Sequence, residues 1–290
     1  MLAARRGAVE LLRRLRPKAV VSVGGYASMP AVFAARKLDI PVVVVSYDRT
    51  PGRASRLAAR RAAACAVAFE NTPLPRATVT GAPVRQALLQ LDREAERSSA
   101  RAALSLPDDR FVVAVMGGSL GSGVLNGAIA RYVADHDDDD GLAVRQVAGE
   151  RFVDQITELG HVDGGIVHQV VGYEHDMAAV YAACDVMVGR GGASTVHEVA
   201  VTGVPAILVP WAASADDHQV GNVDWLSSVG GAIMLTEAEL GRLPDEIERL
   251  RHDADARVAL SVAARRRGDV HRSGALAGLI ERVAITSPTS

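Results

Sequence analysis

The chain has 290 residues, 49% of them hydrophobic, and 32 Lys and Arg against 34 Asp and Glu give a formal net charge of -2. That length and core-forming content suit two ordinary domains, and the near-neutral charge excludes a global basic field, so no nucleic-acid partner is expected. The longest apolar runs, such as 41–45 and 206–209, are strand-length and far short of the roughly 20 residues that cross a bilayer, and Arg5, Arg6 and Glu10 interrupt the start where a secretory signal needs an apolar core, so the expected location is the cytoplasm.

The predicted elements alternate from the start. Leu2 to Leu15 reads as a helix with arginines on its polar side, stopped by Pro17. Residues 19–23 read as a strand, followed by Gly24-Gly25-Tyr26-Ala27-Ser28-Met29-Pro30 and a helix to about Lys37. Residues 41–45 form the next strand, 46–52 a loop, and 55–63 a helix. Arg53, Arg56 and Arg60 share a helical face that reads more readily as solvated than as a phosphate or anionic-lipid site. Short strands at 65–69 and 78–80 lead to Gly81-Ala82-Pro83-Val84-Arg85. Such alternation predicts parallel sheets with crossover helices and ligands at the C-terminal strand ends. The charged helical run 86–106 places the domain boundary near Arg85: 1–85 first, 86–270 second, and 271–290 a terminal helix packing back toward the first.

In the second half, 111–116 is a clean apolar strand running into the glycine turn 117–123 and a helix containing Leu125, Ile129 and Tyr132. The turn lacks the Lys-Ser/Thr ending of a P-loop and does not match G-x-G-x-x-G, so neither nucleotide hydrolysis nor dinucleotide binding follows. Further strands are expected at 143–147, 166–171, 185–188 and 206–209, with one more at 230–235. Asp137 to Asp140 lie between a helix and Gly141 and read as a solvated loop rather than a metal site. His136, His161, His168, His252 and His271 have no ligand partners at diagnostic spacing, and Cys65 and Cys184 read as buried free thiols of a reducing compartment, so no metal is implied.

Three stretches carry chemistry. In 185–198, Asp-Val-Met-Val-Gly-Arg-Gly-Gly-Ala-Ser-Thr-Val-His-Glu, a short buried strand meets a tight turn at 189–192 and a helix capped by Ser194 or Thr195. Such a junction aims unpaired N–H groups and a helix dipole at one spot, which suits a diphosphate. Glu198 either accepts from sugar hydroxyls or closes a capping box with Thr195, and the stretch alone leaves both open. Asp216, Asp217, His218, Gln219 and Asn222 follow the strand 206–209 and so stand at the same sheet edge, with helix capping by an aspartate as the plainer alternative. After the strand ending at Val171, Asp176 suits a cap, and the backbone around Tyr173 suits a planar base.

These motifs, in one order, carry a resemblance. Gly-Gly-Tyr-Ala-Ser from Gly24, Gly-Ala-Pro-Val-Arg at 81–85, Gly-Gly-Ser-x-Gly at 117–121, Tyr-x-x-Asp-Met at 173–177, Arg-x-Gly-Ala-x-Thr-x-x-Glu at 190–198 and Asp-His-Gln-x-x-Asn at 217–222 resemble the MurG family over nearly the whole chain. The resemblance implies an α/β GT-B fold, two Rossmann-like parallel-sheet domains facing a cleft. It implies inverting transfer of N-acetylglucosamine from UDP-N-acetylglucosamine to the membrane-bound muramyl-pentapeptide lipid (lipid I), giving lipid II, by a protein peripheral on the cytoplasmic face of the membrane. Carried over, Glu198 binds the ribose hydroxyls, Ser119 with Ala193, Ser194 and Thr195 holds the diphosphate, and Tyr173 and Glu174 border the uracil. His218 and Gln219 grip the sugar with Asn222 in support, Arg85 reaches the nucleotide from the hinge, and Gly24, Gly25, Tyr26 and Ser28 lie on the acceptor side. No metal is required, since helix N-termini can stabilise departing UDP.

Departures accompany the likeness. The family's opening Gly-Gly-x-Gly-Gly-His loop has no counterpart before Gly24, and only about four strands precede Arg85, so the first domain is expected to be incomplete. Where the family carries His-Glu-x-Asn, residues 46–49 read Ser-Tyr-Asp-Arg, which makes Asp48 the candidate base. Leu120 replaces the usual Gln of the second glycine turn. The altered loop leaves room for another GT-B enzyme, with a different acceptor or epimerase chemistry. The missing loop leaves room for a nucleotide-sugar-binding protein without catalysis.

Overall fold

The structure is a computed structural model that describes residues 2–118, 121–159, 165–213 and 218–286. In chain order the elements are α1 (Leu2–Leu15), β1 (Val20–Ser22), α2 (Met29–Lys37), β2 (Val42–Ser46), α3 (Arg53–Ala59), β3 (Ala64–Val67), β4 (Ala77–Val79), α4 (Gln86–Leu89) and α5 (Arg93–Ala103). They continue with β5 (Phe111–Met116), α6 (Gly123–Ala134), β6 (Leu142–Val147), α7 (Val153–Leu159), β7 (Val167–Val171), α8 (Met177–Ala183), β8 (Val186–Arg190), α9 (Ala193–Thr202) and β9 (Ala206–Val209). The last are α10 (His218–Ser227), β10 (Ile233–Met234), α11 (Leu243–His252), α12 (Ala254–Arg272) and α13 (Ala275–Thr286). The chain divides into two compact units, Met1–Pro83 with Asp269–Ser290, and Val84–Gly268.

The first unit is built on a parallel sheet in the order β1-β2-β3-β4. A parallel sheet needs both faces covered, which is why β2 is an unbroken Val-Val-Val-Val-Ser run, buried throughout. Val42 and Val44 point to the layer of Val9 and Leu12 from α1, Met29 and Val32 from α2 and Ala58 from α3. Val45 points the other way and, with Ala64 and Ala66, is covered by Leu279 of α13. β4 is an exposed edge. The helix expected at 55–63 begins two residues earlier, because Gly52 serves as its N-cap, and Arg60 falls at the C-cap.

The second unit holds a parallel six-stranded sheet in the order β10-β9-β8-β5-β6-β7. Numbered from β5 as first, this is the doubly-wound order 3-2-1-4-5-6, whose chain direction reverses between β5 and β8. The run expected as one helix over 86–106 is broken, because Asp92 accepts from Ala95 N at 3.2 Å and starts α5 afresh. Arg101, fully buried, donates to the carbonyls of Ala183 (3.0 Å), Pro107 (3.2 Å), Asp108 (2.7 Å) and Arg110 (3.0 Å), and to Asp185 Oδ2 (2.9 Å). Asp185 therefore precedes β8 rather than beginning it, and its carboxylate also takes Arg97 at 2.5 Å and Val112 N at 2.8 Å. Cys65 and Cys184 are free and buried, and burial pushes the Cys184 thiol up to about 11.

Candidate functional site

The reversal between β5 and β8 opens a crevice at the carboxyl ends of the strands, where ligands bind in sheets of this kind. Two glycine turns flank it. After β5, Gly118 and Gly121 take φ of +83° and +73°, and a Cβ on Gly121 would stand 2.3 Å from the Ala148 carbonyl oxygen. That carbonyl is held by Asn126 Nδ2 at 3.1 Å, so the turn rests on a fixed support. Ser122 caps α6, accepting from Leu125 N at 3.3 Å. Ser119 and Leu120 lie outside the described residues.

The second junction departs from its expected form. β8 runs on through Arg190, with Gly189 paired to Met116 and Leu208, so the turn is only Gly191-Gly192. The N-cap is Gly192, not Ser194 or Thr195, which puts Ala193, Ser194 and Thr195 in the first turn of α9, where backbone N–H groups have no intrahelical acceptor. Glu198 is then the sixth helical residue, too far along to serve a capping box. A capping box does form in this unit, at Thr236 and Glu239.

Glu198 is instead held from two sides. Oε1 accepts from Arg85 Nη2 at 3.0 Å and Oε2 from the Tyr181 hydroxyl at 3.0 Å. The Glu198 side chain is 17% exposed and Arg85 53%. Tyr181 is fully buried, and burial followed by the charge of Glu198 pushes its phenol well above the usual range, which keeps it a donor.

Arg190 joins three loops of the crevice. Its guanidinium donates to Ser122 Oγ at 3.0 and 2.6 Å and to the Val209 and Pro210 carbonyls at 3.4 Å, and it pairs with Glu237 at 2.7 Å. Tyr181, Ser122 and Arg190 are the site residues that sequence reading passed over. A cation closing the buried strand Val-Met-Val-Gly was the available signal for Arg190; none marked Tyr181.

The structure brings α10 onto the second turn. A Cβ on Gly191 would lie 2.5 Å from Val223 Cγ2 and 3.2 Å from the Gln219 carbonyl. His218 and Gln219 occupy the first turn of α10, Gln219 Oε1 accepts from Trp211 N at 2.9 Å, and Asn222 is fully buried. Asp216 and Asp217 lie outside the described residues. Beyond β7, Tyr173 is 56% exposed and meets the His175 ring edge-on at 4.9 Å, while Asp176 caps α8 through Ala179 N at 3.0 Å. The Glu174 carboxylate is engaged by Arg145 at 2.6 and 3.1 Å and by Asp176 N at 3.1 Å, so it braces its own loop.

In the first unit Gly24 and Gly25, with φ of +90° and +73°, follow β1, and Asp48 follows the neighbouring strand β2, so both stand at one sheet edge. A Cβ on Gly24 would meet Ser55 Oγ at 2.9 Å. Ser28 Oγ donates to the Gly25 carbonyl at 2.8 Å, and Tyr26 is exposed.

Among the described residues no three His, Cys, Asp or Glu side chains gather as a metal cluster. Asp139, expected in a solvated loop, is tied down by both terminal nitrogens of Arg251 and by Gly141 N at 2.9 Å.

Comparison with known proteins agrees with this architecture. Residues 1–67 match the glycosyltransferase family 28 N-terminal domain and residues 112–271 the glycosyltransferase family 28 C-terminal domain. The UDP-N-acetylglucosamine--N-acetylmuramyl-(pentapeptide) pyrophosphoryl-undecaprenol N-acetylglucosamine transferase of Cutibacterium acnes is 37% identical over 272 residues, covering 90% of this chain and 71% of that protein. The crystal structure of Acinetobacter baumannii MurG superposes with a TM-score of 0.72 at 26% identity, covering 97% of this chain and 77% of that one. A Neisseria meningitidis UDP-GlcNAc 2-epimerase, at 12% identity and a TM-score of 0.68 over 95% of this chain and 80% of its own, shares the fold alone. With two parallel-sheet α/β units, both family 28 domains and this degree of identity, the chain belongs to glycosyltransferase family 28, in the MurG family.

Proposed function

We propose that the chain transfers N-acetylglucosamine from UDP-N-acetylglucosamine to undecaprenyl-pyrophosphoryl N-acetylmuramyl-pentapeptide, lipid I, yielding lipid II and UDP. The observation that carries this reading is Glu198, fixed by Tyr181 and Arg85 one and a half turns beyond the Gly191-Gly192 turn, at the switch point of a doubly-wound sheet. In this reading Glu198 accepts from the ribose hydroxyls. The first-turn N–H groups of Ala193, Ser194 and Thr195, together with Ser119, bind the diphosphate and stabilise the charge that develops as UDP departs. Tyr173 borders the uracil, with Glu174 bracing that loop through Arg145. His218 and Gln219 bind the sugar, supported by Asn222.

The reaction is a single displacement. An acceptor hydroxyl oxygen attacks the anomeric carbon, the bond from that carbon to the β-phosphate oxygen breaks, and the hydroxyl proton passes to a base. Asp48, on the acceptor side with Gly24, Gly25, Tyr26 and Ser28, is the base we assign. No metal enters this scheme. No helix among the described residues is long and apolar enough to cross a membrane. We place the protein peripherally at the cytoplasmic face, where the lipid substrate is presented.

Calorimetric titration with UDP-N-acetylglucosamine tests the donor site. Glu198→Ala is expected to weaken binding by about 1–3 kcal/mol, the worth of hydrogen bonds to a charged group. A folded variant with unchanged affinity removes Glu198 from the site. Formation of lipid II from labelled donor and lipid I tests the reaction, and epimerised UDP-sugar as the only product would overturn it.

A further inference from the structure

Tyr181 sits in the last turn of α8, fully buried, and its ring cannot follow a moving partner. Its own carbonyl is gripped by Arg93 Nε at 2.7 Å, and Arg93 Nη2 holds the Cys184 carbonyl one turn on at 2.7 Å. The hydroxyl donates to Glu198 Oε2 at 3.0 Å. The two carboxylate oxygens are therefore held unequally: Oε2 by a phenol anchored in the core, Oε1 by the half-exposed guanidinium of Arg85 at the start of the four-residue α4. A carboxylate offers about four lone-pair directions. Tyr181 and Arg85 take one on each oxygen, which leaves one acceptor direction on each for a pair of adjacent hydroxyls. Without the phenol, Glu198 is free to turn toward Arg85 and make both of its bonds there.

We infer that Tyr181 is a positioning residue that presents the Glu198 carboxylate to the ribose diol of the donor, and so sets the preference for ribonucleotide over deoxyribonucleotide sugars. This rests on Glu198 being the ribose-binding residue. A site built to bond hydroxyls rejects the analogue lacking them because its buried polar groups are left unpaired. Tyr181 supplies the rigidity that makes that rejection effective. The phenol remains a donor at neutral pH, since burial and the neighbouring charge oppose its ionisation.

The test is calorimetric titration of UDP and 2′,3′-dideoxy-UDP into the full chain and Tyr181→Phe, with folding checked by thermal melting. The parent should bind UDP about tenfold or more tighter than the dideoxy analogue. Tyr181→Phe should lose about tenfold on UDP and under about twofold on dideoxy-UDP. Equal losses on both nucleotides, or none on either, overturn the role of Tyr181 while leaving the ribose reading of Glu198 intact. A parent that does not distinguish the two nucleotides overturns that reading, and the inference with it. If Tyr181→Phe does not fold, Glu198→Ala and Glu198→Ala/Tyr181→Phe give the same test with no side chain left for the phenol to position. Equal UDP affinities support the inference, and a further tenfold loss in the double variant overturns it.

Discussion

Gly191→Ala tests how tightly the crevice is fitted. The backbone of Gly191 is not in the left-handed region, so alanine is conformationally allowed and only space opposes it. The added methyl would stand 2.5 Å from Val223 Cγ2, 3.2 Å from the Gln219 carbonyl oxygen and 3.3 Å from Pro210 Cα. Carbon atoms in contact prefer about 3.5–4.0 Å, so the first overlap alone exceeds about 1 Å. Val223 is fully buried and cannot swing into solvent. Either it leaves its rotamer or the start of α10 moves away by about 1 Å, at a cost of about 1–3 kcal/mol typical of overpacking. Two of the three neighbours are backbone atoms, which puts the expected loss at about 2–3 kcal/mol. His218 and Gln219, which we propose bind the sugar, ride on the displaced turn, so affinity for UDP-N-acetylglucosamine should fall about tenfold as well. Urea unfolding and calorimetry measure the two effects. In Gly191→Ala/Val223→Ala the new methyl fills part of the space left by the valine, and the double variant should be more stable than the sum of the single losses. An alanine variant with parental stability and affinity, or strict additivity in the pair, would refute the reasoning.

Arg101→Met should destabilise the chain by about 3–5 kcal/mol, because it removes the buried guanidinium that serves four carbonyls and Oδ2 of Asp185, leaving the carboxylate only Arg97 and Val112 N. A loss under about 1 kcal/mol in urea unfolding would show those groups to be otherwise satisfied. The bonds from Arg251 hold the Asp139 carboxyl below its ordinary value. A depressed carboxyl stabilises the fold above its unfolded pKa of about 3.9, and that contribution is lost as pH falls through the folded value. Melting temperatures from pH 6 down to about pH 2 should therefore fall more steeply for the parent than for Asp139→Asn. Parallel profiles would show that the pair has no net effect on stability.

Much of the fold is legible because parallel strands announce themselves. Runs such as Val42 to Val45 and Phe111 to Met116 have one structural solution in a chain that alternates them with helices. What stays hidden is tertiary pairing. The run 86–106 reads only as charged and helical, since nothing local reveals that Arg101 will be enclosed by carbonyls up to 82 residues away. The N-cap of α9 was misplaced for a related reason. Side-chain preference favours Ser194 or Thr195, but Gly192 caps without a side chain, and the sheet draws β8 out to Arg190. Glu198 was identifiable as a residue of interest, while its capping role was excluded only by counting along the actual helix. Its partners Arg85 and Tyr181 lie 113 and 17 residues away, joined by the topology of the sheet rather than by any local pattern.

The first unit is assembled from two separated stretches of chain, with Leu279 of α13 sealing one face of β2 and β3. The second unit is continuous. During synthesis residues 1–83 emerge before the second unit, yet they leave Val45, Ala64 and Ala66 without Leu279 until α13 leaves the ribosome. The second unit has all its strands and can collapse beforehand. The order of completion is therefore inverted relative to the order of translation, and the apolar face of the early sheet is the surface a chaperone would have to guard in the interval.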